Sequence, residues 1–180
     1  MFSIKGLALG GIVGGLLVTY AALAADPGRT PSPEEIRLWD IDVRPDGRGL
    51  PDGSGAALKG KSIYEDQCLG CHGAGGVGGI KDRLAGGIGS LASDAPLKTV
   101  GSYWPYATTV FDYIRRAMPY TDPGSLSNDD TYALTAYILS LNGIVPRDVS
   151  LNRQNLPGIK MPNRDGFIPE PAFRVIKNSR

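Results

Sequence analysis

Hydrophobic residues recur at helical spacing in three stretches of the sequence. The pattern predicts helices over Ala56–Cys68, Trp104–Arg116 and Ser127–Asn142, and one further helical turn over Glu34–Trp39. The apolar positions that define the three helices are Leu58, Ile63 and Tyr64 in the first, Val110, Phe111 and Ile114 in the second, and Leu134, Tyr137, Ile138 and Leu141 in the third.

The sequence also predicts where two of these helices begin or end. Ser127 is a natural N-cap, and Asp129 and Asp130 suit the positive end of the helix dipole. Gly143 is a suitable stop for the third helix, because glycine adopts the left-handed conformation that ends many helices. The second helix is expected to end at Met118-Pro119, since the residue before proline leaves the helical region.

Between and beyond the helices the chain is rich in turn residues. Residues 26–55 carry repeated Pro, Gly and Asp, and Gly73–Gly89 is a glycine-rich loop that lacks the Lys-Ser/Thr of a phosphate-binding loop. Residues 144–180 show no periodicity, and no strand pair is predicted. We expect the final segment to be extended and to lie along the domain or along a partner, because its prolines forbid long helices.

The first 25 residues predict an export signal. One positive charge, at Lys5, precedes an uncharged stretch from Gly6 to Ala25, which ends in the small-x-small sequence Ala22-Leu23-Ala24. Cleavage after Ala24 would release the chain into the periplasm. The alternative is an uncleaved membrane anchor, because about 20 apolar residues can span a bilayer.

Composition narrows the classes of function. The chain has 180 residues, which fits one compact domain, and 42% of them are hydrophobic, enough to build a core. A net charge of +1 argues against a nucleic-acid-binding protein, which normally carries a basic excess. One histidine and two cysteines are too few for a four-ligand zinc site.

Both cysteines and the single histidine fall within Cys68-Leu69-Gly70-Cys71-His72. This C-x-x-C-H sequence is the attachment motif of c-type haem. Two thiols at this spacing can bond to the two vinyl groups of one porphyrin edge, and the next residue places an imidazole under the iron. We therefore predict one covalent haem c, with Cys68, Cys71 and His72 as cofactor-binding residues. A disulfide between the cysteines is the alternative after export, although the βαβ pattern of thioredoxin-type sites is missing.

The second axial ligand of the iron must come from elsewhere, because the sequence has no second histidine. Beyond the export signal the methionines are Met118 and Met161. A methionine thioether opposite histidine makes an electron-transfer centre and raises its potential. Met118 is preferred, since it follows a helix and precedes Pro119, and Met161 lies in the unpatterned final segment. A buried core methionine is the alternative role.

The chain resembles a class I monohaem cytochrome c in the order of three features along the sequence. These are the C-x-x-C-H motif, the Met118-Pro119 dipeptide and the last helix. Gly60 and Tyr64 resemble the family's first helix, which crosses the last helix closely, and Tyr137 is the matching aromatic residue. The resemblance implies an all-α fold of short helices around one haem, with long irregular extensions. It divides the chain into a signal peptide (1–24), an extended N-terminal segment (25–55), the cytochrome c domain (56–144) and an extended tail (145–180).

A narrower resemblance covers most of the chain after the export signal. The segments WDIDVRPDGRGLPDGSG, TVGSYWPYATTVFDYIRRAMPY, YALTAYILSLNGI and KMPNRDGF are similar to the cytochrome subunits of periplasmic molybdenum sulfite and sulfane dehydrogenases, including SoxD-like haem domains. This implies a one-electron acceptor docked beside a molybdenum-cofactor dehydrogenase subunit, with a cytochrome or oxidase downstream. The chain lacks the second haem domain of longer members, and the loop before Gly86 lacks the proline whose carbonyl commonly orients the haem histidine.

The remaining candidate residues are donors for the haem propionates. These are Trp104, Tyr103, Lys98 and Arg115 or Arg116. No residues suggest catalysis by the chain itself, so we expect an electron-transfer subunit. Two other functions stay open, which are a free-standing periplasmic carrier to a terminal oxidase and a ligand-binding haem protein with an open sixth site.

Overall fold

The computed structural model of the protein describes residues 28–168, so the predicted export signal lies outside the described residues. Contacts divide the chain into two units, Met1–Trp39 and Asp40–Arg180. No helix within residues 28–168 is long and apolar enough to cross a membrane.

The described part of the first unit contains one short helix, α1 (Pro33–Trp39). Its start is a capping box, in which the Glu35 N–H donates to the Ser32 hydroxyl and the Ser32 N–H donates to the Glu35 carboxylate. Arg29 pairs with the same carboxylate. The helical turn predicted over Glu34–Trp39 is thus confirmed.

The second unit is mainly helical, as predicted for a class I cytochrome c fold. Its helices are α2 (Ala57–Gln67), α3 (Leu69–His72), α4 (Ala107–Ala117) and α5 (Asn128–Leu141). Short 3-10 turns lie at Ala74–Gly76, Ser90–Ala92 and Leu156–Gly158. The three predicted helices are confirmed within a few residues at their ends, and the predicted caps of α5 are confirmed as well. The Ser127 hydroxyl accepts the Asp130 N–H at 3.1 Å, and Gly143 has a φ of 65°.

Helices α2 and α5 cross in close contact. A β-carbon at Gly60 would overlap the backbone carbonyl of Ala133, so only glycine fits at the crossing. The rings of Tyr64 and Tyr137 pack against each other with centroids 5.3 Å apart. This agrees with the contact that Gly60, Tyr64 and Tyr137 predicted. The prediction that Leu58 packs inward was wrong, because its side chain is 67% exposed on the outer face of α2.

Two short strands add a feature that the sequence did not predict. Strand β1 (Ser54–Ala56) pairs antiparallel with β2 (Ser150–Asn152), and Gly55 lies opposite Leu151. Gly55 also approaches α5 so closely that a β-carbon there would overlap the backbone of Ala133. The strand pair therefore ties the segment before α2 and the segment after α5 to the same helix.

The final segment contributes to the hydrophobic core. Leu151, Leu156 and Met161 are each at most 2% exposed and belong to the same cluster as Phe111 and Tyr132. This agrees with the expectation that the segment lies along the domain, and shows that its apolar residues are buried there. Burying three such side chains stabilises the fold by roughly 1.5–3 kcal/mol each.

The segment before β1 packs against α4. Val43 and Leu50 are buried in the core, and the Val43 N–H donates to the buried Asp112 carboxylate at 3.0 Å. Arg116, one turn further along α4, pairs with the same carboxylate and lies 3.3 Å from Asp42. The carboxylate is therefore compensated by a backbone donor and a guanidinium, as a buried charge requires.

Candidate haem site

The cysteines and the histidine lie on one turn at the end of α2. Cys68 is the C-cap of α2 and the N-cap of α3, and its carbonyl accepts the N–H groups of Cys71 at 3.2 Å and His72 at 2.9 Å. The two thiols are not joined in a disulfide. The alternative of a Cys68–Cys71 disulfide is thus not what the structure shows.

The two thiols differ in their surroundings. Cys71 is exposed, whereas Cys68 is partly buried and packs against the hydrophobic core. Burial, with smaller contributions from Cys71 and Asp66, raises the pKa of the Cys68 thiol to about 11. A raised pKa keeps the Cys68 thiol protonated near neutral pH.

The imidazole of His72 is oriented by a backbone carbonyl. Its Nδ1 lies 2.8 Å from the carbonyl oxygen of Asp82, and a carbonyl can only accept, so Nδ1 carries the proton. Nε2 is then the nitrogen with a free lone pair for a metal. The loop lacks the proline whose carbonyl commonly orients the haem histidine, and in this structure the Asp82 carbonyl contacts His72 instead.

The loop that carries Asp82 folds back onto the C-x-x-C-H turn. The Lys81 N–H donates to the Cys71 carbonyl at 2.9 Å, and β-carbons at Gly73 and Gly79 would overlap backbone atoms of this same turn and loop. The Tyr64 hydroxyl donates to the Gly73 carbonyl at 2.8 Å. The glycines in this loop therefore allow the close backbone approach that places the Asp82 carbonyl beside the imidazole.

Met118 and Met161 lie in different environments. Met118 is the C-cap of α4, is partly exposed and precedes a cis peptide bond to Pro119. Met161 is 1% exposed and is enclosed by the core. Met118 is thus the more exposed of the two side chains, whereas Met161 has the core position of a buried methionine.

An open cavity of about 570 Å³ lies between the end of α2 and the segment after α4, and none of the predicted haem ligands is among its lining residues. Two of its lining residues immediately precede Cys68, and several others follow Met118 along the chain. The lining consists of Asp66, Gln67, Pro119, Thr121, Asp122, Ser125, Leu126 and Asp130. The end of α2 and the segment after α4 therefore face a common space.

The predicted propionate donors are only partly brought together. Trp104 and Tyr103 are both half-buried; Trp104 packs edge-on against Tyr113 at 5.5 Å, and the Lys98 ammonium lies 5.0 Å from the Tyr103 ring centre. Arg115 and Arg116 contact the segment at residues 41–42 instead. The structure adds one contact that the sequence did not predict, in which the Arg164 guanidinium stacks 4.3 Å from the ring centre of Tyr106.

The donor set fits a covalently attached haem. Two unpaired thiols flank one turn, and the adjacent imidazole keeps Nε2 available for iron. Large apolar side chains also remain exposed in the flanking segments, such as Ile80 at 82% and Tyr120 at 81%. A flat apolar cofactor would cover such surface, which is costly to leave in water.

Comparisons with known proteins agree with this site. Residues 55–138 match the family model described as cytochrome c oxidase, cbb3-type, subunit III. A chain in the crystal structure of the sulfane dehydrogenase SoxCD from Paracoccus pantotrophus is 44% identical, with a TM-score of 0.75. The match covers 85% of the present chain and 77% of that chain. No curated protein matches the sequence.

The fold, the site and these matches define a haem protein with one attachment motif. The chain belongs to the class I c-type cytochromes, in the family that includes the SoxD cytochrome subunit. It accordingly carries covalently bound haem c, and its function is electron transfer.

Proposed function

We propose that the chain is the one-electron acceptor subunit of a molybdenum-cofactor dehydrogenase that oxidises sulfite or a sulfane. The observation that carries this proposal is the 44% identity, over 85% of the chain, with a chain of a sulfane dehydrogenase structure. Within residues 28–168 no three metal-binding side chains cluster together. In this proposal the sulfur chemistry takes place on the partner subunit, and this chain only receives the electrons.

The haem would be held at the turn that ends α2. Cys68 and Cys71 form the thioether bonds and Nε2 of His72 binds the iron. The support is the shared turn, the unpaired thiols and the proton held on Nδ1 by the Asp82 carbonyl. When bound, the haem supplies an iron that cycles between its ferric and ferrous states. The protein contributes the ligand orientation, the apolar walls and the exclusion of water.

Met118 is proposed as the second axial ligand. It is accessible, ends α4 and directly precedes one of the residues that line the cavity beside Cys68. Met161 is enclosed by protein atoms and would have to leave the core to bind iron. We further propose Trp104 and Tyr103 as donors to the haem propionates, since both are half-buried neighbours and can present an indole N–H and a hydroxyl.

The number of electrons that the partner's reaction releases is consistent with a one-electron carrier. Oxidation of sulfite with water gives sulfate, two protons and two electrons. Because a haem held here would take up one electron at a time, each sulfite oxidised by the partner would require two successive transfers to this chain, and a sulfane, whose sulfur is more reduced, would require more. The predicted export signal supports a periplasmic location, where covalent haem attachment takes place.

The axial ligands can be tested by paired substitutions. Met118→Ala is expected to abolish the red charge-transfer band that methionine ligation gives to ferric haem, and Met161→Ala is expected to preserve it while lowering stability. If the band survives in Met118→Ala, Met118 is not the ligand. An open sixth site would be indicated if the wild-type ferric protein lacks the band altogether.

The partner can be tested by stopped-flow spectroscopy. The ferric cytochrome is mixed with a molybdenum sulfite or sulfane dehydrogenase from the same genome, and sulfite or a thiosulfate-derived sulfane is added. Rapid haem reduction that requires both dehydrogenase and substrate is the expected result. A cytochrome that elutes alone at physiological salt and is reduced no faster with the dehydrogenase than without it would contradict the proposal and favour a free-standing carrier.

A further inference from the structure

A buried amide at the end of α5 connects two distant segments of the chain. The Asn142 side chain is 9% exposed, and its Nδ2 donates to the carbonyls of Ile138 and Leu84, each at 3.0 Å. Its Oδ1 accepts the Gly86 N–H at 3.1 Å. These partners fix the orientation of the amide, because an exchange of its oxygen and nitrogen would set two acceptors together and two donors together.

The segment that Asn142 holds is the one that leads away from Asp82. Leu84 and Gly86 are two and four residues beyond the carbonyl that accepts the His72 Nδ1 proton. The N–H of Leu84 also donates to the Gly76 carbonyl at 2.8 Å, so both polar groups of its peptide backbone are engaged. Few residues thus separate Asp82 from Gly86, and hydrogen bonds fix the backbone of this short segment.

A second buried side chain holds the same segment from the other direction. The Thr99 hydroxyl donates to the Gly86 carbonyl at 2.6 Å, and the Thr99 residue is 3% exposed. Asn142 also lies against Gly101, where a β-carbon would overlap its Oδ1. Gly86 is therefore bonded through its N–H to Asn142 and through its carbonyl to Thr99.

We propose that Asn142 is a positioning residue for His72, acting through residues 84–86 on the Asp82 carbonyl. The proposal rests on the role of His72 as haem ligand set out above. A hydrogen bond from Nδ1 to a fixed carbonyl fixes the ring and makes the imidazole a stronger electron donor to its metal. A stronger donor stabilises the ferric state, so a loosened carbonyl is expected to make the haem easier to reduce.

The test compares a substitution at the C-cap of α5 with one inside that helix. Asn142→Leu keeps the number and branching of the side-chain heavy atoms and removes the three bonds to the loop and helix. Thr135→Val is the control, because the buried Thr135 hydroxyl donates only to the Thr131 carbonyl of its own helix. The measurements are the reduction midpoint potential and, by proton NMR of the ferrous protein, the exchange rate of the His72 Nδ1 proton.

Asn142→Leu is expected to shift the equilibrium constant for reduction about threefold to tenfold toward the ferrous state and to speed proton exchange, with Thr135→Val unchanged in both. Tenfold corresponds to about 59 mV for one electron. If Asn142→Leu lowers thermal stability while the potential and the exchange rate stay at wild-type values, the residue is only structural and the proposal fails.

A second variant covers the case in which Asn142→Leu does not fold. Thr99→Val removes the donor to the Gly86 carbonyl and is expected to shift the potential in the same direction; an unchanged potential in this variant overturns the proposal. Failure of the underlying function is recognised separately with His72→Ala. If that variant retains the wild-type haem spectrum, His72 is not the ligand, whatever Asn142 does.

Discussion

Two regions of the molecule meet at the C-x-x-C-H turn, and each is stabilised by a different kind of interaction. Helices α2 and α5, the helix pair, meet through Gly60, Ala133 and the rings of Tyr64 and Tyr137. The loop segment 73–102 instead depends on hydrogen bonds from buried side chains such as Asn142 and Thr99. The helix pair buries more apolar side chains than the loop segment does, and the loop segment positions the carbonyl that contacts His72. Stability and ligand orientation are therefore separable by mutation.

The largest effect is expected at the helix crossing. Gly60→Val places a branched side chain against the backbone of Ala133, which cannot move without separating the helices. We expect a loss above about 3 kcal/mol of unfolding free energy, measured by chemical denaturation, against typical total stabilities of about 5–15 kcal/mol. Gly70→Ala is the control, because no atom lies within 4 Å of a β-carbon there. Equal stabilities of the two variants would contradict close packing of the helix pair.

The next largest effect concerns the final segment. Leu156→Ala removes a fully buried side chain from the core and is expected to cost about 2–5 kcal/mol, with the haem spectrum of the folded protein unchanged. Ile168→Ala, at an 88% exposed position, should leave the denaturation midpoint where it is. A wild-type midpoint in Leu156→Ala would mean that the segment is not part of the core in solution.

A smaller and local effect is expected within the loop segment. The Ser90 hydroxyl donates to the Gly87 carbonyl at 2.7 Å and accepts the Leu97 N–H at 3.0 Å. Ser90→Ala should cost about 1 kcal/mol and speed amide hydrogen exchange over residues 87–97 without affecting α5. Ser62→Ala is the control, since Ser62 is exposed on α2, outside residues 87–97. Equal acceleration in α5 would show that the two regions are not separable.

The smallest effect is expected from the ion pair across the helix pair. Lys59 Nζ on α2 lies 2.6 Å from the Asp130 carboxylate on α5, and this contact, with the Ser127 hydroxyl, lowers the pKa of Asp130. A lowered carboxyl pKa stabilises the fold above the unfolded pKa of about 3.9, and this contribution disappears as pH falls through the folded value.

Asp130→Asn should therefore cost only about 0.5 kcal/mol at pH 7, and its difference from wild type should shrink as the pH falls through the lowered pKa of the folded state. Denaturation curves across this range, with Asp94→Asn on an exposed loop as the control, measure it. A cost as large as that of Leu156→Ala would show that charge, rather than apolar packing, dominates the helix pair.

Much of the helix pair could be predicted from the sequence because its signals are local. Periodicity marked α5, Ser127 marked its start, and Gly60 with Tyr64 marked the crossing. The strand pair was missed because each strand has three residues and about a hundred residues separate them. Buried Leu151, Leu156 and Met161 follow no periodic pattern, so their core role depends on tertiary packing alone.

The loop segment was less predictable for a different reason. The atom that orients His72 is a backbone carbonyl, which every residue type possesses, so Asp82 carried no signal. Asn142 was identified only as a helix end, although an asparagine followed by Gly143 is also a buried donor and acceptor when a loop covers it. Haem attachment at the C-x-x-C-H motif was predictable, because few other kinds of site use two cysteines and a histidine at that spacing.

The Tyr64 phenol links the two regions, because it lies on α2 and donates to the Gly73 carbonyl at the start of the loop segment. This hydrogen bond requires that the phenol keep its proton. Burial raises the pKa of Tyr64 to about 12, so the phenol keeps its proton at neutral and moderately alkaline pH. The bond to Gly73 consequently persists while surface groups titrate. A change of pH in this range would therefore leave the connection between α2 and the loop segment intact.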